Sequence, residues 1–204
     1  PAVSIRNPDI EIDQALHYYG CIGNEVLVTD GPAVGKQGTI TGEHARLMVH
    51  FDEDILQSMT GMDQVVVKTV GRGLIIHGYE NVVTKKIGPQ LLKGWDITIG
   101  SDGVLNVPVV AEIPSYIMGS GYEIPPDFVD QDMMTPDWEE LKALGLQDLK
   151  LGDIVAVSDR DHRFSRRYLE GAVTIALIIH GDSSWLGHGP GCQELMSCVN
   201  GEIR

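Results

Sequence analysis

Short runs of β-branched and other apolar residues recur along the chain, and glycine-containing turns separate them. Within each run the apolar positions alternate or stay continuous, which is typical of half-buried or fully buried strands. The runs predict strands at 25–29, 39–41, 47–51, 64–70, 74–77, 104–110, 154–158 and 172–180. Many short strands joined by turns favour a barrel or sandwich. We therefore expect a mostly β fold that is barrel-like, with SH3-like hairpin elements and few short helices.

Helical periodicity is scarce, and one segment carries it clearly. Thr135 fits an N-cap, Pro136 fits the first helical position, and acidic residues follow in the first turn. Apolar residues then share one face until Gly145, which ends the helix. Weaker patterns predict helices over 53–59 and 10–18.

The chain length suits one large domain or two small ones, and we expect a single β-rich domain over 1–204. Between residues 123 and 140 there are several acidic residues, three prolines and no basic residue. This composition indicates a surface loop, so a loop or lid insertion is expected at 119–149.

Charge and cysteine content narrow the function classes. The formal net charge of −14 repels phosphate backbones, so nucleic acid is a poor partner. Three cysteines without a C-x-x-C pair argue against a disulfide framework. No apolar run could span a bilayer, so no membrane partner is expected, and the cysteine content favours a reducing compartment. We therefore expect a cytoplasmic protein. We further expect a small-molecule ligand and, from the high glycine content, a homo-oligomer.

The segment HGDSSWLGHGPG, residues 180–191, is the strongest candidate for chemistry. It follows a predicted strand in which residues 172, 174, 176, 178 and 180 share a small or polar face, which could border a pocket or lie close to another sheet. His180, Asp182 and His188 form a sensible three-ligand set for Zn²⁺ or Fe²⁺ with an open position. Their spacing matches no established metal signature, so structural histidines in a glycine-rich turn are the alternative.

The stretch after residue 158 contains carboxylates and arginines close together. Arg163, Arg166 and Arg167 could bind a substrate carboxylate through bidentate hydrogen bonds. A solvated charged loop is the alternative. If 154–158 and 172–180 form a plain hairpin, this stretch lies roughly 25 Å from His180, and the two groups form separate sites within one chain.

Two glycine-flanked positions complete the candidates. Gly119 and Gly121 flank Ser120, and their free amides and hydroxyl suit a carboxylate or phosphate ligand, although a tight turn explains the pattern equally well. Cys21 also lies between glycines, but no neighbour in sequence supplies a base, so a buried structural cysteine is the alternative to a nucleophile. Cys21, Ser120 and Asp182 are the candidate catalytic residues.

Ordered strings along nearly the whole chain resemble the domain-of-unknown-function 4438 family of bacteria and archaea. They are VSIRN, CIGNE, VGKQGTITGEH, GRGL, VPVVAEIPSYIMGSG, LKLGDIVAVSD, RRYLEGAVTIALIIHGD and GHGPG. The resemblance implies a β-rich fold without a transferable reaction. Members of that family carry a further glycine-rich stretch before the VSI segment, which implies a short or processed form here, or a separate N-terminal segment.

A more distant similarity to acetamidase- and formamidase-type β proteins favours a hydrolase. We therefore expect a small-molecule enzyme, a metal-assisted hydrolase of amide- or carboxylate-bearing substrates. The alternative is a non-catalytic β module that binds a ligand or forms oligomers.

Overall fold

The computed structural model describes residues 2–119, 127–128, 130–134, 137–183, 185 and 187–204. The chain divides into two compact units, and the single β-rich domain expected over 1–204 stays a prediction. Unit 1 comprises the chain up to Arg72 together with Lys86–Gly94, and unit 2 comprises Gly73–Lys85 and Trp95–Arg204. The chain therefore enters each unit twice.

Unit 1 is built on a five-stranded antiparallel sheet. Its strands are β1 (Ala2–Ile5), β2 (Glu25–Val28), β3 (Gln37–Glu43), β4 (Leu47–His50) and β5 (Val65–Lys68). They lie in the order β1-β4-β3-β2-β5, so β1 and β5 are the edge strands. Alternate residues of the central strands, such as Val26, Ile40 and Val49, are buried in one hydrophobic core. The period-two pattern of the sequence thus becomes the inner face of this sheet.

Three helices flank this sheet among the described residues of unit 1: α1 (Ile10–Tyr19), α2 (Glu53–Ser58) and α3 (Pro89–Lys93). The first two confirm the weak sequence patterns. Asp9 caps α1, since its carboxylate accepts hydrogen bonds from the backbone N–H groups of Glu11 and Ile12 at 2.9 and 3.2 Å.

A buried ion cluster anchors the second entry of the chain into unit 1. The ammonium group of Lys86 ion-pairs with Glu43, and the Lys86 and Glu43 side chains are each only 1% exposed. Lys86 also donates to the backbone carbonyl oxygens of His17 and Gly20. Lys86 has a φ of 53°, a backbone conformation that a non-glycine residue adopts at a cost. Because the charge is paired and its protons are hydrogen-bonded, the cluster holds this segment in place.

Unit 2 is built on a six-stranded sheet. Its main strands are β9 (Ala111–Ile113), β10 (Gln131–Asp132), β11 (Ile154–Asp161), β12 (Arg167–His180) and β13 (Gly191–Cys198), in the order β10-β13-β12-β11-β9. The short strand β6 (Val83–Thr84) also pairs with β13, and β7 (Thr98–Ile99) pairs with β8 (Leu105–Asn106). β9 runs parallel to β11, and the other pairs are antiparallel.

Strands β11 and β12 form an antiparallel hairpin with Ser158 opposite Val173, and its register shifts between Ser158 and Arg160. The side of β12 that the sequence shows as small or polar packs inside unit 2. Ala176 and Ile178, on that side, belong to a hydrophobic core with Val155 and Val157. The opposite side is buried as well, since Leu177 and Ile179 on it are 6% and 7% exposed.

The segment expected to be a lid contributes to the core of unit 2. Met133, Leu141 and Leu146 are buried in the same cluster as β12. Helix α4 (Trp138–Ala143) begins at Asp137, whose carboxylate accepts from two backbone N–H groups, and Gly145 follows its end with a φ of 71°. The proposed cap Thr135 lies outside the described residues.

The predicted strand at 74–77 is absent from the structure, and the one at 104–110 shortens to β8. With 36% strand and 16% helix, the mostly β class is confirmed, and one sheet curls into a half-barrel. Among the described residues, no helix has the length and apolar character needed to cross a bilayer.

The burial of both faces of β12 can be tested by truncation. Ile178→Ala should lower the free energy of unfolding by about 2–5 kcal/mol, because the side chain is 2% exposed and its loss leaves a cavity. Urea denaturation measures this change. Leu151→Ala removes a similar side chain that is 68% exposed and should change stability by less than about 0.5 kcal/mol. Equal effects of the two substitutions would contradict the assignment of Ile178 to the core.

Candidate functional site

Three neighbouring strands of unit 2 bring their polar residues together at one end of the sheet. Asp132 of β10 is paired with Gly191 of β13, and Gly191 is paired with His180 of β12. Asp132 and His180 therefore stand on either side of a glycine in the middle strand. Asp130, two residues before Asp132, joins the same group.

The imidazole of His180 is the centre of this group. Its Nε2 lies 2.8 Å from Asp130 Oδ2 and 3.0 Å from Asp132 Oδ1. Its Nδ1 donates to the carbonyl oxygen of Gly181 at 2.8 Å. The side chains of Asp130, Asp132 and His180 are 2%, 8% and 21% exposed. The site is thus mostly removed from water, and the backbone fixes which ring nitrogen faces the carboxylates.

Gly191 creates the space in which these side chains meet. A Cβ atom at this position would overlap both His180 Nε2 and Asp130 Oδ2. A side chain on the central strand would therefore occupy the place where the carboxylates and the imidazole converge.

His188 borders the same group from the loop between β12 and β13. Its Nδ1 lies 3.4 Å from Asp132 Oδ2, and its side chain is 50% exposed. The ring of Trp185 approaches it edge-on, with the two centroids 6.1 Å apart. The N–H of Gly189 donates to the carbonyl of Met133, which ties this loop to the end of β10. His188 is thus the solvent-facing imidazole of the site.

The two carboxylates set the protonation state of His180. Hydrogen bonding to Asp130, and then to Asp132, raises the pKa of His180 from 6.5 to about 10, against the opposing effect of burial. In the absence of another cation the ring is therefore an imidazolium ion at neutral pH. Its positive charge balances part of the negative charge of Asp130 and Asp132.

Of the metal ligands predicted from the sequence, His180 and His188 both contact Asp132. Among the described residues, Asp182 has no contact with Asp132. Asp182 is exposed, and its Oδ1 accepts a hydrogen bond from the N–H of Ser183 at 2.8 Å. The strand turns at Gly181, so consecutive loop residues leave the sheet.

Gly119 lies beside the site, as its N–H donates to the carbonyl of Asp132 at 2.8 Å. Ser120 and Gly121, proposed as a catalytic hydroxyl and a ligand amide, lie outside the described residues. Cys21 belongs to unit 1, where it is fully buried, and its Sγ lies 3.7 Å from the carbonyl of Tyr19. A buried thiol of this kind fits the structural alternative rather than a nucleophile.

The arginines predicted to bind substrate lie at the other end of β12. Arg163 and Arg167 each donate to Asp161 at 2.9 Å, and Arg166 donates to Glu194 at 2.7 Å. A strand running from Arg167 to His180 spans up to roughly 40 Å, so these guanidinium groups and the His180 group form separate clusters.

Glu194 is the buried centre of this second cluster. Its carboxylate lies 3.2 Å from His162 Nδ1 in addition to its bond with Arg166, and all three side chains are at most 2% exposed. Burial alone would raise the pKa of the Glu194 carboxyl, but Arg166 and His162 lower it from 4.5 to about 2. The cluster is therefore a charge-compensated part of the interior, and removal of one partner would leave a buried charge unpaired.

Sequence reasoning missed Asp130 and Asp132. They lie in the acidic stretch that was interpreted as a surface loop, yet they are 2% and 6% exposed as whole residues. The Asp-x-Asp spacing was the available signal, because residues two apart on a strand share a face. The surrounding prolines and acidic residues outweighed it.

Comparison with known proteins identifies relatives over the whole chain. Residues 1–93 match the model "Domain of unknown function (DUF4438), N-terminal", and residues 94–204 match "Domain of unknown function (DUF4438), C-terminal". The crystal structure of TM1086 aligns with a TM-score of 0.92 and 36% identity, covering 100% of this chain and 72% of that one. A search of curated proteins found no match.

The charge state of His180 can be measured directly. In protein treated with a chelator, ring resonances in NMR should report a pKa of about 10. The stability that this imidazolium contributes is fully present below pH 6.5 and is lost as the pH rises towards 10. Asp130→Asn should lower the pKa, whereas Asp182→Asn should leave it unchanged. Titration of His180 near pH 6.5 in the unmodified protein would contradict the convergence of the carboxylates.

The cluster around Glu194 predicts how the free energy of unfolding changes with pH in the acid range. Glu194→Gln leaves Arg166 buried without its carboxylate and should cost about 3–5 kcal/mol at pH 7. The difference from the unmodified protein should shrink as the pH falls from 4.5 towards 2, because the native carboxyl then protonates as well. Urea denaturation across this range measures it. The exposed pair of Glu25 with Lys68 is the control, and Glu25→Gln should have little effect. A pH-independent difference would contradict the depressed pKa.

Proposed function

Given that the chain belongs to the DUF4438 family over its whole length, we propose that it is a metal-dependent hydrolase of small amide- or carboxylate-bearing molecules. In this proposal the divalent ion, Zn²⁺ or Fe²⁺, binds to His180, Asp130 and Asp132 in unit 2. His188 stands at the open side of the site.

The observation that supports this proposal is the direction of the His180 ring. Its Nδ1 is engaged by a backbone carbonyl, so Nε2 is the nitrogen directed at the two carboxylates. A histidine that ligates a metal is commonly held in this way by a hydrogen bond on its other nitrogen. Imidazole nitrogen and carboxylate oxygen are both ligands that zinc and iron accept.

An ion bound here would replace the proton on His180 Nε2 that lies between the two carboxylates. The nearly buried carboxylates attract one positive charge already, and a divalent ion supplies more. Three protein ligands leave a coordination position open, as in catalytic rather than structural zinc sites. Such an ion acts as a Lewis acid on a carbonyl and lowers the pKa of bound water to about 7.

His188 is the proposed general base and acid. Because Asp132 faces its Nδ1, Nε2 is the nitrogen that can accept a proton from water. The water oxygen then forms a bond to the carbonyl carbon, and the C–N bond breaks. His188 returns the proton to the leaving amine, so that an amide and water become a carboxylic acid and an amine.

A non-catalytic role is the second candidate, and it rests on the same contacts. With both carboxylates paired to His180, part of the negative charge of the group is balanced without a metal. In that case the group ties β10 to β12 across Gly191, and the protein is a ligand-binding or oligomer-forming module.

Metal binding distinguishes the two candidates. We expect protein purified without a histidine tag to contain or take up about one Zn²⁺ or Fe²⁺ per chain, measured by elemental analysis and calorimetry. Asp130→Asn and His180→Ala should each weaken binding by at least about tenfold, and Asp182→Asn should not. Release of ammonia from small primary amides by the loaded protein, and its loss in His188→Ala with metal retained, would support the hydrolase.

Protein that binds neither ion in the micromolar range would overturn the proposal and favour the module. Stoichiometric metal without hydrolysis of any amide tested would retain the metal site and remove the reaction. Each variant must first show an unchanged far-UV spectrum, since the group also joins two strands.

A further inference from the structure

The two edge strands of unit 1 border one cavity. The cavity has a volume of about 710 Å³ and is lined by Val3, Ser4 and Ile5 of β1 and by Val65 of β5. The loop that leads into β5 and the residues that follow β1 complete its walls. The two outermost strands of this sheet therefore border the same space.

Each of the two edge strands has one side on which its backbone N–H and C=O groups pair with no described strand. Among the described strands, β1 pairs with β4 and β5 pairs with β2, and each has a single neighbour. Backbone N–H and C=O groups on the unpaired side of an edge strand are a template for another strand. Binding of a peptide by addition to a sheet edge uses these groups.

The cavity also exposes apolar surface that belongs to the core of unit 1. Val3, Met59 and Val65 pack against the buried cluster of this unit but are only partly buried themselves. Alternate side chains of an added strand would cover them, because successive residues of a strand point to opposite faces. Removal of this apolar surface from water would favour binding.

The charge of the lining selects the kind of strand. Arg6 and Arg46 both line the cavity, and neither forms an ion pair with a described residue. Asp63 is the acidic residue of the lining, and its Oδ1 accepts from the hydroxyl of Thr60. In a chain with a net charge of −14, this excess of basic groups is a local reversal of sign. It favours a partner that carries carboxylates.

We propose that this cavity binds an extended, acidic peptide segment of a partner protein, which adds as a strand between β1 and β5 and directs carboxylates towards Arg6 and Arg46. The two strand edges favour a peptide over a compact small molecule, because only an extended backbone can pair with both. The proposal concerns unit 1 and is independent of the metal site in unit 2.

The test uses a short acidic peptide and the full chain. The probe is an acetylated and amidated pentapeptide in which glutamate alternates with valine, and the control peptide has lysine in place of glutamate. We expect the acidic peptide to shift the backbone amide NMR signals of Val3, Ile5 and Val65 and to slow their hydrogen exchange. The lysine peptide should have little effect.

Substitutions then locate the binding. Arg6→Glu combined with Arg46→Glu should weaken binding by at least about tenfold, whereas Lys36→Glu and Lys93→Glu together, outside the cavity lining, should change it by less than about twofold. Gly61→Trp should block the cavity without the arginine changes. Gly61 lines the cavity, and a Cβ there would meet no atom within 4 Å.

Three results would overturn the proposal. They are the absence of amide shifts in β1 and β5 at about 5 mM peptide, equal binding of the lysine peptide, and binding that survives Gly61→Trp. Self-association that protects β1 and β5 before peptide is added would instead assign the cavity to a second copy of the chain. Spectra of each variant without peptide establish that it is folded.

Discussion

The candidate site depends on the absence of a side chain at Gly191. Strands β10, β13 and β12 lie side by side, and the central residue of the row Asp132–Gly191–His180 carries no Cβ. The imidazole and the carboxylates can therefore meet above the middle strand. Any larger residue would fill that space and separate the groups, so the backbone register and one glycine together define the site.

Both units contain buried carboxylates, and the side chains around these carboxylates differ in their exposure to solvent. Glu43 in unit 1 and Glu194 in unit 2 contact cations that are themselves enclosed. Asp130 and Asp132 differ in that the His188 side chain beside them is half exposed to solvent. Loss of one partner from an enclosed charge pair leaves an uncompensated buried charge, whereas carboxylates beside a solvent-exposed imidazole are suited to binding an ion.

The sequence predicted the elements whose signal is local. Periodicity located α4 and, more weakly, α1 and α2, and alternation located β2, β4, β11 and most of β12. It missed β13, in which all eight residues are buried, since a strand enclosed on both faces loses the polar alternation. The small or polar face of β12 is likewise enclosed, because Ala176 and Ile178 pack in the core.

The site was only partly accessible for a related reason. His180 and His188 were conspicuous in a glycine-rich turn, and the structure brings both to Asp132. Asp182 was preferred because it is near in sequence, but strand pairing brings Asp130 and Asp132 from about fifty residues upstream. Long-range pairing of short strands leaves little trace in the local pattern, so these carboxylates were assigned to a surface loop.

The position of β6 in the sheet of unit 2 restricts how the two family segments could be recombined in evolution. The two family segments meet at residues 93 and 94, yet β6, which belongs to the first segment, completes the sheet of unit 2 by pairing with β13. A genetic exchange at the segment boundary would combine β13 with a foreign β6. The two segments are therefore expected to evolve as one inseparable piece rather than as interchangeable modules.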